Sequence, residues 1–238
     1  MDVAIDKEQA RALVGDAALW PLVRDFLWDF APQIHESWLE GMFGQETAGE
    51  RGETVSSLVS RLSSSPRVKK LILERLGVEP FFHDFPKDDW SRLSLLDGAT
   101  LVAIAKWLGA LACAEELRRV TDGATVRELK SSLRGIYPEV FSFTAYFAGL
   151  DGGGSVSRRG AEAQSLSDRV VSTGVEMLHS ILSDLPVPLV SRLKFKFPSS
   201  LVSRIPDCGR ETPDSRRAGV VKKLLKLKFP EAYRICCS

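Results

Sequence analysis

An all-α fold, a compact multi-helix domain with at most a short β element in its C-terminal part, is what this 238-residue sequence predicts. Three observations predict it. Apolar residues recur at helical spacing in one segment after another. Helix-starting and helix-stopping residues stand between those segments. No stretch up to residue 150 alternates apolar and polar residues over a useful length. Composition agrees, because 44% hydrophobic and 26% charged residues suit a globular chain with a sizeable core. The same figures exclude a disordered chain, a collagen-like repeat, a disulfide scaffold and a membrane-embedded transporter.

The elements follow in order. Glu8 to Val14 reads as a short helix behind Asp6. Asp16 opens another, with Leu19, Leu22, Val23, Phe26, Leu27 and Phe30 at helical spacing. Pro32 suits a first helical turn and leads a segment carrying Ile34, Trp38 and Met42. Gly44 to Gly52 is polar and Gly-rich, hence a loop. Thr54 to Leu62 and Arg67 to Leu76 predict two further helices, the second ended by Gly77. Pro80 to Pro86 is an aromatic-rich turn, and Asp88 to Leu96 a short helix. Asp97 then caps a long apolar helix with Leu101, Ile104, Ala105, Leu108 and Leu111 on one stripe. Its other faces are nearly as apolar, so other helices should enclose it.

Thr125 and Glu128 fit a capping box, each side chain serving the other's free amide, before a helix carrying Val126, Leu129 and Leu133. Gly135 closes that helix, and Tyr137-Pro138 opens the next, with Val140, Phe141, Thr144 and Phe147. Ser165 starts a helix whose Leu166, Val170, Gly174, Met177 and Ile181 share a face, and Pro186 and Pro188 end it. Leu193-Lys194-Phe195-Lys196-Phe197-Pro198 alternates apolar and basic residues, which favours a strand. Its echo, Leu225 to Pro230, continues a helix begun near Ala218.

Asp151-Gly152-Gly153-Gly154-Ser155 is the clear break in the chain. It divides a helical body, 1–150, from a Gly/Ser-rich linker, 151–160, and a C-terminal helical segment, 161–238, packed on the body as one domain. Charge divides there too. Residues 151–238 carry a net +6 and the first 150 a net −5, although the whole chain is only +1. That whole-chain value gives no reason to expect a nucleic-acid binder.

Candidate chemistry is sparse. The Gly152–Gly154 run lacks the Gly-Lys-Ser/Thr of a phosphate loop. His35, His83 and His179 have no ligand-spaced neighbours, and Cys113, Cys208, Cys236 and Cys237 form neither a zinc spacing nor a disulfide framework. His83 beside Asp84 and Asp88 reads as a turn histidine; a site there would need tertiary convergence. No Ser, Cys or Thr stands in a nucleophile elbow. No catalytic residue, cofactor, metal or small-molecule substrate is therefore expected. The first six residues, Met1 to Asp6, hold two acids and no basic residue, whereas a secretory leader has a positive start followed by an apolar run. The low-charge stretch from Gly98 to Ala114 falls short of the roughly 20 residues of a membrane span. A reducing cytoplasm is the expected compartment.

The basic run Arg216, Arg217, Lys222, Lys223, Lys226, Lys228 has two readings: a solvated helix face, or contact with an anionic partner such as lipid or nucleic acid.

One block carries a family likeness. Leu76-Gly77-Val78-Glu79 is followed by Leu93-Ser94-Leu95-Leu96-Asp97-Gly98, then Trp107-Leu108-Gly109-Ala110-Leu111 and Ala114-Glu115-Glu116-Leu117-Arg118-Arg119. Val126, Leu129 and the helix with Tyr137, Phe143 and Phe147 close it. Flanking stretches, Phe30 to Leu39 and Leu189 to Phe197, fit as well, with Glu36 where a proline is usual. This order resembles the SctK (YscK-like) family of type III secretion systems, over roughly residues 20 to 230. The resemblance implies a non-catalytic cytoplasmic adaptor of the injectisome sorting platform. It would link the cytoplasmic domain of the inner-membrane ring protein (SctD-like) to the pod protein (SctQ-like), with no nucleic acid. Lys222, Lys223 and Lys226 are the expected interface residues. The alternative is a helical binder of an anionic surface through the basic C-terminal part.

Overall fold

A computed structural model describes residues 17–43, 65–78, 85, 90–147, 165–182, 185–202 and 215–237. The expected helices at Glu8–Val14 and Thr54–Leu62, the Gly44–Gly52 loop, His83 and the 151–160 linker lie outside the described residues. Among the described residues the structure is all helix, without strands. Twelve α-helices are described: α1 Trp20–Trp28, α2 Glu36–Phe43, α3 Pro66–Arg75, α4 Gly98–Ala112, α5 Ala114–Arg118 and α6 Gly123–Ser132, then α7 Val140–Phe143, α8 Leu166–Leu182, α9 Val187–Phe195, α10 Ser199–Val202, α11 Ser215–Lys228 and α12 Pro230–Cys237. Short 3-10 turns at Ala17–Leu19, Ala31–Gln33, Ser91–Leu95 and Thr144–Phe147 join or extend them.

Two compact units share these elements. The first comprises 1–98, 185–199 and 231–238; the second comprises 99–184 and 200–230. The first unit is built on α1, whose Val23, Phe26 and Leu27 are buried with Phe30, Ile72, Leu73, Phe85 and Leu189. Phe26 meets Phe30 and Phe85 edge-on, at ring-centroid distances of 5.6 and 6.3 Å. Trp38 of α2 reaches α9: its ring lies edge-on to Phe195, and its indole N–H donates to the Phe197 carbonyl at 2.8 Å. Gly77, at φ 65°, takes the left-handed turn that ends α3.

The second unit is built on α4, apolar nearly all round as its sequence requires. Leu101, Ile104, Ala105, Trp107, Leu108, Ala110 and Leu111 are buried on it. It crosses α8 at Gly109 and Gly174, so closely that a Cβ at either would stand 1.7 Å from a backbone carbonyl oxygen of the other helix. On its remaining sides α8 packs against α6 and α11.

Two expectations are corrected. The Leu193–Pro198 segment is not a strand: α9 runs through Phe195, started by Pro188 in its first turn. Leu189, Leu193 and Phe197 are all buried, so a helical period ran beneath the alternating one. Pro186 and Pro188 accordingly open α9, four residues after α8 has ended at Leu182. The capping box at Thr125 is also replaced. Asp122 caps α6, accepting from the Thr125 backbone N–H and hydroxyl, both at 2.8 Å. Glu128 instead accepts from the Ser167 hydroxyl of α8 at 2.7 Å. These bonds hold the Asp122 and Glu128 carboxyls below their ordinary pKa values.

Candidate partner-binding surface

The basic helix α11 presents two opposite faces. Val221, Leu224 and Leu225 are fully buried, while Lys222, Lys223, Lys226 and Leu227 are exposed. At about 100° per residue, the exposed four follow one another around the helix as Lys222, Lys226, Lys223, Leu227. They fill an arc of about 140°, with the lysines together and the leucine at one edge.

Other basic residues of the same run hold the helix down. Lys228 donates to the Glu139 carboxylate and lies over the rings of Trp107 and Phe143, at 4.8 and 4.2 Å from their centroids. Arg217 donates to the Ser180 hydroxyl of α8 at 3.3 Å. Lys223 does both jobs. Its ammonium donates to the Tyr146 carbonyl and lies near the Tyr146 and Phe147 rings, at 5.8 and 5.4 Å, while its side chain remains exposed.

The fold thus brings Lys223 together with Tyr146, whose ring is 62% exposed, and places Leu227, 47% exposed, one turn further along α11. The three lysines expected from the sequence all lie on the open face. Tyr146 had no sequence signal. It lies 77 residues from Lys223, on a different element.

The second set of cations is internal. Arg192 and Lys196, one turn apart along α9 and its C-terminal turn, are 0% and 1% exposed. Arg192 donates from one guanidinium nitrogen to the carbonyls of Phe26 and Leu27, at 2.6 and 2.9 Å. Those are last-turn carbonyls of α1, which lack partners within the helix. Lys196 donates to the carbonyls of Ser94 and Leu96, at 2.6 and 2.8 Å. Burial pulls its pKa from 10.5 down to about 7, with Asp97 pulling weakly the other way. These are structural cations, buried against backbone oxygens and the Phe26 ring.

Among the described residues no three His, Cys, Asp or Glu side chains gather as a metal site. None of the described helices is long and apolar enough to cross a membrane. His35 is engaged locally, its Nδ1 accepting from the Ser37 backbone N–H at 3.2 Å at the start of α2.

The model of the YscK family, described as YOP proteins translocation protein K, matches residues 31–236. The chain belongs to the YscK family. As a YscK protein it takes part in type III secretion, in a family of structural and accessory components of that machinery. The match takes in the second compact unit, the first from residue 31 onward without α1, the buried Arg192 and Lys196, and the exposed face of α11. No curated protein and no solved structure matches the chain.

Proposed function

We propose that this chain is a non-catalytic adaptor of the injectisome sorting platform, at the cytoplasmic face of the bacterial inner membrane. It joins the cytoplasmic domain of the inner-membrane ring protein to the pod protein and requires no cofactor or substrate. Membership of the YscK family across residues 31–236 carries this reading. The open lysine face of α11 supports it, since charged patches steer and select protein partners. An adaptor that docks and releases buries about 1,200–2,000 Å² in each complex.

Co-purification from cells expressing the secretion apparatus is the test. Ring and pod proteins should both come down with the wild-type chain. Reversing charge at Lys222, Lys223 and Lys226 together should weaken one association and spare the other. Recovery of neither partner by the wild-type chain rejects the adaptor reading. Survival of both after the triple reversal assigns the lysine face to solvent.

A further inference from the structure

We propose that the exposed face of α11, together with Tyr146, docks an acidic amphipathic segment of a partner protein, a reading that rests on the chain's role as a protein-binding component. Leu227 and Tyr146 take the segment's apolar side chains, and Lys222, Lys223 and Lys226 take its carboxylates.

Two observations carry the assignment. Leu227 and Tyr146 are among the large apolar side chains left exposed, at 47% and 62%. Lys223 connects them, bonded to the Tyr146 carbonyl, close to its ring and one helical turn before Leu227. An exposed aromatic and an exposed aliphatic side chain on either side of a lysine have the composition of an interface anchor. The Tyr146 bond uses one of the three donors of the Lys223 ammonium and fixes its position. A partner carboxylate therefore meets a charge that needs little ordering.

Competing occupants fit less well. An amphipathic helix binds a bilayer by sinking its apolar face, but the apolar face of α11, Val221, Leu224 and Leu225, is fully buried in the protein. Three lysines within one and a half turns neutralise few phosphates, and a chain of net charge +1 has little long-range pull on a polyanion.

The experiment places a photo-crosslinking amino acid at Leu227 of the full chain, in cells expressing the secretion apparatus. The expected product is a crosslink to a protein segment in which Asp and Glu flank aliphatic or aromatic residues. Changing Lys222→Glu, Lys223→Glu and Lys226→Glu together should cut its yield at least about tenfold, and Tyr146→Ala should reduce it too. A synthetic peptide of that segment should bind the purified wild-type chain. The same peptide with its acids changed to Lys should restore binding to the triple variant. Matching thermal melts by circular dichroism check that the variants fold. A crosslink to lipid, nucleic acid or a neutral or basic segment overturns the proposal. So does the absence of a crosslink, or a yield unchanged by charge reversal. Failure of the adaptor reading looks different: a crosslinked acidic segment with neither ring nor pod protein co-purified would uphold this surface and reject the bridge. Co-purification of ring and pod proteins with no crosslink at Leu227 would do the reverse.

Discussion

At the scale of single residues, the Lys196 ammonium is the most consequential placement in the first unit. It is 1% exposed, bonded to two carbonyls and stacked over Phe26 at 4.9 Å. Its folded pKa, about 7, lies below the ordinary 10.5 of an unfolded chain. Between those values the unfolded chain binds the extra proton, so stability rises with pH across the window. The cost of a buried charge is therefore largest below pH 7 and fades above it. Lys196→Met removes this dependence. It also leaves the Ser94 and Leu96 carbonyls without their donor, a loss of about 1–3 kcal/mol that does not titrate. Denaturant midpoints measured from pH 6 to 10 should show wild type gaining on the variant by roughly 1 kcal/mol per pH unit above 7. A difference between the two proteins that stays flat with pH would show that Lys196 remains charged when buried.

The α4–α8 crossing decides the second unit at the scale of elements. In an isolated helix, replacing glycine by alanine adds about 1 kcal/mol of stability. Here the opposite is expected, because the new methyl would meet the Val170 or Ala105 carbonyl oxygen at 1.7 Å. Gly109→Ala and Gly174→Ala should each destabilise by about 1–3 kcal/mol or more, the range of an overpacked core. A gain in thermal midpoint for either variant would mean that the helices do not approach so closely. Ile104 and Leu108 on the same helix are 0% exposed. Cutting either to alanine should cost about 2–5 kcal/mol, from lost burial and the cavity left behind. An unfolding midpoint that barely moved would remove α4 from the centre of the unit. The apolar surround of α4 was legible from its composition. Its glycine contact was not, because nothing in the spacing of Gly109 and Gly174 tells which helix each will touch.

Over the whole molecule, charge is nearly balanced at +1 but unevenly distributed, with +6 in residues 151–238. Binding that uses the open lysines should therefore weaken steeply as salt rises from about 50 to about 500 mM, since exposed charges are screened beyond about 10 Å at moderate salt. Helix content should hold over the same range, because the stability of a nearly neutral chain owes little to self-repulsion. Loss of helix in parallel with binding would make the salt effect one of folding. Helices and the positions of most of them were readable from periodicity, since α3, α4, α8 and α11 each repeat their apolar residues every three or four positions. So was the open side of α11, where Lys222, Lys223 and Lys226 fall opposite Val221, Leu224 and Leu225. The α9 segment defeated the same reasoning. Its Leu193, Phe195 and Phe197 alternate as in a strand, and basic side chains are normally assigned to solvent. Only the folded chain offers Arg192 the last-turn carbonyls of α1, 165 and 166 residues away, and Lys196 those of Ser94 and Leu96, 102 and 100 residues away. The same holds for Tyr146 against Lys223. Helix formation answers to neighbours within about four residues, which the sequence displays directly. The fate of a buried cation or an exposed ring depends on groups far along the chain, and those meet only once the helices have packed.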